Sequence, residues 1–188
     1  MNRRDFFKYF GKSLVVFYGL EAGAKYLFAS NKKYSPENHY WNMAIDIERC
    51  IGCGRCVEAC KSENDVPKEP FYFRTWIERY LVKKNGEVKT DSPNGGMNSF
   101  PETNDKDIVK GFFVPKLCNH CDKSPCIQVC PVGASYKTKD GVILVDKDYC
   151  IGCRYCIQAC PYGSRYYNPF TRTPDKCTFC YHSITKGL

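Results

Sequence analysis

Cysteines at three-residue spacing recur in four places along this chain, and no other feature limits its folding so strongly. Cys50, Cys53, Cys56 and Cys60 read C-x2-C-x2-C-x3-C, and Cys150, Cys153, Cys156 and Cys160 repeat the pattern one hundred residues on. The two stretches, 50–60 and 150–160, are identical at seven of eleven positions. Between them lies Cys118-x2-Cys121-x4-Cys126-x3-Cys130, and Cys177-x2-Cys180 follows. These runs hold all 14 cysteines of the 188 residues, far above ordinary usage. Disulfides fit poorly, because successive thiols three residues apart suit convergence on a common centre better than pairing. Zinc binds paired C-x2-C knuckles in tetrahedral four-cysteine sites, but it has no use for a third cysteine and a fourth at x3.

The C-x2-C-x2-C-x3-C spacing is that of bacterial ferredoxins holding two cubane iron–sulfur clusters. Three cysteines in a tight loop clasp one cluster, and the fourth, on the following helix, turns towards a neighbour. The runs therefore predict clusters in pairs, close enough to exchange electrons. The formal charge of +8 suggests nucleic acid or an acidic membrane as a partner. That reading is weak: a cluster with its four thiolates carries roughly −2 when oxidised, so the surplus is mostly counter-charge. The basic residues are scattered among acids, with no long Lys/Arg block, and no nucleic-acid partner is expected.

Residues 1–30 read as a targeting segment. Asn2-Arg3-Arg4-Asp5-Phe6-Phe7-Lys8 is close to the twin-arginine export signal, followed by an apolar run, Leu14-Val15-Val16-Phe17-Tyr18-Gly19-Leu20, and an Ala22-Gly23-Ala24 cleavage candidate. Glu21 and Lys25 are blemishes for such a signal, and an amphipathic N-terminal helix is the alternative. Export of an already folded protein lets clusters be inserted before the chain meets an oxidising compartment. The expected location is thus the periplasm or the outer face of the cytoplasmic membrane. No stretch approaches the roughly 20 apolar residues of a membrane span.

Residues 31–40 read as a polar linker. Residues 43–47 alternate like a strand into the first cysteine loop, 58–61 continue a short helix carrying Cys60, and 75–83 alternate as a second strand. Residues 84–110, with Pro93-Asn94-Gly95-Gly96, read as a surface loop or loose hairpin. A strand over 111–117 leads into the Cys118 run, and 136–145 form a hairpin turning at Asp140-Gly141. Asp46 and Asp146 precede their runs at the same offset. Pro131 and Pro161 follow the fourth cysteines and end the helical turn there, whereas Lys61 follows Cys60. The expected class is α+β: two ferredoxin-like dicluster units related by a pseudo-twofold duplication, with a surface insertion and the targeting segment. The segments are 1–30 (signal or anchor), 31–110 (first run and insertion, half of an outer unit), 111–168 (a contiguous dicluster unit) and 169–188 (the start of a fourth run).

No Ser–His–Asp set, phosphate-binding glycine loop, or flavin or nicotinamide fingerprint is present, so substrate chemistry belongs to a partner. His120, inside Cys118-x2-Cys121, is read as support for the ligands, and His182 as structural. Tyr155, Tyr162, Tyr166 and Tyr167 are expected to exclude water and fill a small core.

Residues 42–188 resemble the four-cluster ferredoxin subunits of membrane-bound respiratory oxidoreductases, a family including the iron–sulfur subunits of dimethyl sulfoxide, polysulfide, thiosulfate and tetrathionate reductases. The resemblance is carried by Cys126-Ile-Gln-Val-Cys-Pro-Val-Gly-Ala134, Cys150-Ile-Gly-Cys153 and Cys177-Thr-Phe-Cys-Tyr-His182. Phe71-Tyr72-Phe73-Arg74-Thr75-Trp76 and Ser92-Pro93-Asn94-Gly95-Gly96 are most similar to the exported iron–sulfur subunit of the dissimilatory-sulfite-reduction membrane complex. The resemblance implies one cluster on Cys118, Cys121, Cys126 and Cys160, and a neighbour on Cys150, Cys153, Cys156 and Cys130. It implies a third on Cys50, Cys53 and Cys56 and a fourth on Cys60, Cys177 and Cys180, each lacking one ligand. The family has two more cysteines after a segment like Ile184-Thr185-Lys186-Gly187-Leu188, so the sequence is expected to be a truncated reading frame. Two [4Fe–4S] clusters are then complete from the residues present and four in the full-length protein, with three-cysteine [3Fe–4S] centres as the alternative. The implied function is non-catalytic relay of single electrons between a quinone-reactive integral membrane subunit and a catalytic (molybdopterin) or multihaem cytochrome subunit. A free soluble polyferredoxin and a zinc-stabilised binding module are the alternatives.

Overall fold

The computed structural model describes residues 34–68 and 72–187. The export signal expected over 1–30 lies outside them. Among the described residues no helix is long and apolar enough to cross a membrane.

The largest sheet has three strands in the order β2-β1-β3. Strand β1 (Thr75–Lys83) alternates as its sequence predicts, burying Ile77, Arg79 and Leu81 on one face. It pairs antiparallel with β3 (Ile108–Leu117), from Thr75 opposite Leu117 to Val82 opposite Lys110, with a bulge between Val82 and Lys83. The stretch 84–110 is more ordered than a bare loop. Strand β2 (Val88–Asp91) folds back on β1, and a 3₁₀ turn, η3 (Pro93–Gly96), covers the buried face. At Gly96 (φ +89°) an added Cβ would come within 2.8 Å of Ile77 Cβ, so only glycine lets the turn lie this close.

Residues 43–47 do not form the expected strand. After a first 3₁₀ turn, η1 (Pro36–Asn38), residues 43–46 have no regular structure, and Ile47–Arg49 form a second, η2, capped by Asp46 accepting from Glu48 N at 3.1 Å. Among the described residues no strand pairs with them, and Met43, Ile45 and Ile47 stay exposed. The first cysteine loop then runs into α1 (Arg55–Glu63), whose Val57 is fully buried.

The later chain is built from small pieces. Helix α2 (Pro125–Gln128) carries Cys126, and the hairpin of β4 (Ser135–Lys137) and β5 (Ile143–Val145) turns at Asp140-Gly141 as expected. Helix α3 (Tyr155–Gln158) carries Cys156. A second hairpin, β6 (Tyr166–Asn168) with β7 (Thr173–Asp175), and a last turn, α4 (Tyr181–Ile184), complete the described fold. The buried apolar set is small, and Cys118, Cys126 and Cys156 belong to it. So small a core needs cross-links beyond apolar packing.

Candidate iron–sulfur centres

Both long runs use the same backbone device. Gly52 (φ +71°) and Gly54 (φ +73°) in the first are matched by Gly152 (φ +71°) and Arg154 (φ +67°) in the third, each loop opening a helix at the next residue. At Gly54 a Cβ would lie 2.4 Å from the Gly96 carbonyl oxygen, so glycine is required. Arg154 occupies the same left-handed position where there is room, its guanidinium 4.0 Å from the Tyr167 ring centre. Upstream, Asp146 accepts from Asp148 N at 2.9 Å, as Asp46 does from Glu48 N.

Cys118, Cys121, Cys126 and Cys160 line one small cavity, bringing the fourth cysteine of the third run to three cysteines of the second. Burial first, then the neighbouring sulfurs of Cys118, Cys126 and Cys160, push the Cys121 thiol up, against a backbone N–H that lowers it. Beside this cavity Cys126 and Cys156 pack with Ile143, flanked by Ile127 and Ile157. Burial raises the Cys156 thiol, Arg165 draws it back, and Cys126 and Cys150 push it up. At Cys130 burial also raises the thiol, but the backbone N–H groups of Ser135, Val132, Ala134 and Gly133 outweigh it and hold the group below its ordinary range.

The other six cysteines fall into two groups. Burial raises the Cys56 thiol, with Cys50 and Cys53 adding to it, and Cys53 and Cys56 are exposed. Burial, then the nearby Cys177 sulfur, pushes Cys60 up to about 11, with Cys180 adding to it. Asn64 Nδ2 lies 3.8 Å from Cys60 Sγ and 3.7 Å from Cys180 Sγ. Burial chiefly raises Cys177 as well, although its sulfur accepts from Phe179 N at 3.5 Å.

Charge around these thiols has the right sign for an anionic cofactor. Arg165 is buried, donating from Nη2 to Cys126 Sγ at 3.1 Å and from Nη1 to Ser135 Oγ at 3.0 Å. Lys176, 1% exposed, donates to the Cys177 carbonyl at 2.7 Å; burial pulls its pKa down, and the nearby Cys118 sulfur opposes that. Neither forms an ion pair with a carboxylate among the described residues. A buried cation needs a counter-charge, and a thiolate-bound cluster supplies it. All fourteen cysteines are free thiols, and no three His, Cys, Asp or Glu side chains among the described residues converge on one point as a single ion requires. Four cysteines lining one cavity, with a buried arginine bonded to one of them, are a donor set that fits a cubane cluster. Arg165 and Lys176 were not singled out by the sequence, where nothing separates them from 26 other basic residues.

His120 sits between Cys118 and Cys121 and supports the ligand segments. Its Nδ1 accepts from Ile143 N at 2.9 Å, which puts the ring proton on Nε2. Burial, then Lys176, pulls its pKa down to about 3, so it is neutral at physiological pH. Its ring stacks on Phe179 at 3.8 Å between centroids. His182 bonds to Glu63 at 2.7 Å, joining α4 to α1. Tyr166 and Tyr167 are half-buried, but Tyr155 and Tyr162 are more than half exposed and shield little.

Fold and thiol groups together define a ferredoxin-like iron–sulfur protein. A 4Fe-4S dicluster domain matches residues 49–134 and another matches 109–188. A tetrathionate reductase subunit of Salmonella typhimurium is 40% identical over 95% of this chain and 61% of its own length. The corresponding tetrathionate reductase subunit of Archaeoglobus fulgidus is 41% identical over 93% of the chain and 72% of its own length. The Hdr-like menaquinol oxidoreductase iron–sulfur subunit 1 of Archaeoglobus fulgidus is 33% identical over all of the chain and 76% of its own length. The chain belongs to this family of 4Fe–4S dicluster subunits, and its cofactors are [4Fe–4S] clusters. It spans about three fifths of the Salmonella protein (61%).

Proposed function

We propose that this chain is an electron-transfer subunit relaying single electrons between a quinone-reactive membrane subunit and a catalytic or cytochrome subunit of a respiratory oxidoreductase. The observation that carries this reading is the packing of Cys126 and Cys156, from two different runs, into one core with Ile143. Two cluster sites thereby share a wall. Bound [4Fe–4S] clusters supply one-electron redox chemistry; the chain holds their ligands in place, and Ile127, Ile143 and Ile157 keep water from the shared wall. The relatives named as reductase and menaquinol oxidoreductase subunits support a place in such a complex.

In this reading Cys118, Cys121, Cys126 and Cys160 hold one cluster, and Cys130, Cys150, Cys153 and Cys156 its neighbour. The first and fourth runs contribute to an outer pair. A duplication of ferredoxin-like units is supported by the matched left-handed positions, by the Asp46 and Asp146 turns, and by His120 and Phe179. Those two residues hold the same place in their C-x2-C segments, share positive φ (+44° and +54°), and stack on each other. The contiguous unit is residues 111–168. Residues 1–30 direct export by the twin-arginine route, which puts the subunit on the outer face of the cytoplasmic membrane.

Stepwise reduction of the anaerobically purified protein, followed by electron paramagnetic resonance, tests the relay. Successive one-electron reductions with mutually broadened signals are expected. A colourless protein, or signals without any interaction, would contradict it. Affinity purification from solubilised membranes should bring down an integral membrane subunit, and migration as a lone monomer would argue for a free ferredoxin instead.

A further inference from the structure

Arg165 is buried between two runs of cysteines, 5% exposed, and its fork is divided. Nη2 donates to Cys126 Sγ at 3.1 Å and Nη1 to Ser135 Oγ at 3.0 Å, and Cys126 shares one apolar cluster with Ile143 and Cys156. Cys126 and Cys156 belong to different clusters whether or not the fourth cysteines cross over, since each is the third cysteine of its own run. Arg165 has no carboxylate partner among the described residues, so its charge is directed at sulfur. A guanidinium is protonated at every accessible pH, and its planar fork can serve two acceptors at once.

We propose that Arg165 is a positioning residue of the contiguous unit, orienting Cys126 directly and, from beside the apolar wall that Cys126 shares with Cys156, raising both reduction potentials. Adding an electron makes each cluster more negative, and a fixed cation beside its ligand favours that state. Because one charge lies beside the wall that both clusters share, its removal should move both potentials in the same direction. The inference rests on the reading of Cys126 and Cys156 as ligands of two clusters.

The test is a redox titration of the intact protein, followed by electron paramagnetic resonance, with the two signals assigned through Cys121→Ser and Cys153→Ser. Arg165→Gln should retain both clusters and shift each one-electron equilibrium towards the oxidised form by about tenfold or more, which is about 59 mV or more for each. Arg165→Lys keeps the charge but not the fork, and should shift both equilibria in the same direction by clearly less than Arg165→Gln does. If Arg165→Gln loses iron, Arg165→Lys decides alone. A shift confined to one cluster, no shift in either, or an Arg165→Lys protein as altered as Arg165→Gln overturns the proposal. Absence of two clusters from the unaltered protein would instead overturn the ligand reading beneath it, so the two failures are distinguishable by iron content.

Discussion

The Arg74 guanidinium meets Asp175 twice, through Nε at 3.2 Å and Nη2 at 3.1 Å, while Nη1 donates to Asn64 Oδ1 at 2.7 Å and Thr178 Oγ1 at 3.3 Å. One side chain thus joins the end of α1, the start of β1 and the Cys177 segment. Asp175 also accepts from Tyr166 OH at 2.7 Å, and burial, then that carboxylate, raises the phenol well above its usual range, so it stays neutral. Truncating one partner of a buried pair leaves the other charge uncompensated, at a cost of about 3–5 kcal/mol. Arg74→Ala should therefore lower the thermal midpoint by that equivalent and loosen the Cys60, Cys177 and Cys180 group first; an unchanged melting curve would show that the pair contributes nothing. Crossed ligation makes a second statement about single residues. Cys160→Ser should alter the spectrum of the cluster on Cys118, Cys121 and Cys126, and Cys130→Ser that of the Cys150 cluster, and the reverse assignment would refute it. The cysteines were legible because their chemistry is written in spacing alone. Arg74, Arg165 and Lys176 were not, because what distinguishes them is burial, which no neighbouring residue encodes.

Among the elements, β1 carries the first half of the described chain. Its buried face meets α1 and η3, and the partner strand β3 meets η2, so the first cysteine loop is held between strand and turn. Ile77, 1% exposed, is the centre of that contact. Ile77→Ala should cost about 2–5 kcal/mol, read as a lower denaturant midpoint, with loss of order at residues 50–60 seen by hydrogen exchange before the Cys118 to Cys160 region opens. Uniform opening of both regions would show that the sheet does not support the first loop. Residues 75–83 were readable as a strand because nine residues of alternation leave little ambiguity, and the hairpin over 136–145 because Asp140-Gly141 marks its turn. The hairpin of β6 and β7 escaped notice: each strand has three residues, and Pro174 argues against a strand on local grounds. The four-residue helices α2, α3 and α4 are too short for any apolar period to show. Residues 43–47 failed in the opposite sense, since alternation there found no neighbouring strand.

Over the whole molecule, many short elements surround a small apolar core, and the thiol groups lie where those elements meet. Such a chain depends on its clusters as cross-links, which couples folding to cofactor insertion. The twin-arginine export proposed for residues 1–30 would follow the same logic, because a protein that needs its clusters to fold must be assembled before it crosses. Changing Arg3 and Arg4 together to lysine should leave the protein in the cytoplasm with its iron content unaltered, as cell fractionation would show; continued export would contradict the assignment. The ligand arrangement itself is open to one decisive measurement, an iron anomalous difference map from anaerobically grown crystals. The expected map has one four-iron peak bonded to Cys118, Cys121, Cys126 and Cys160 and a second bonded to Cys130, Cys150, Cys153 and Cys156. Peaks in which each run encloses only its own cluster, or scattering at the zinc edge, would contradict it.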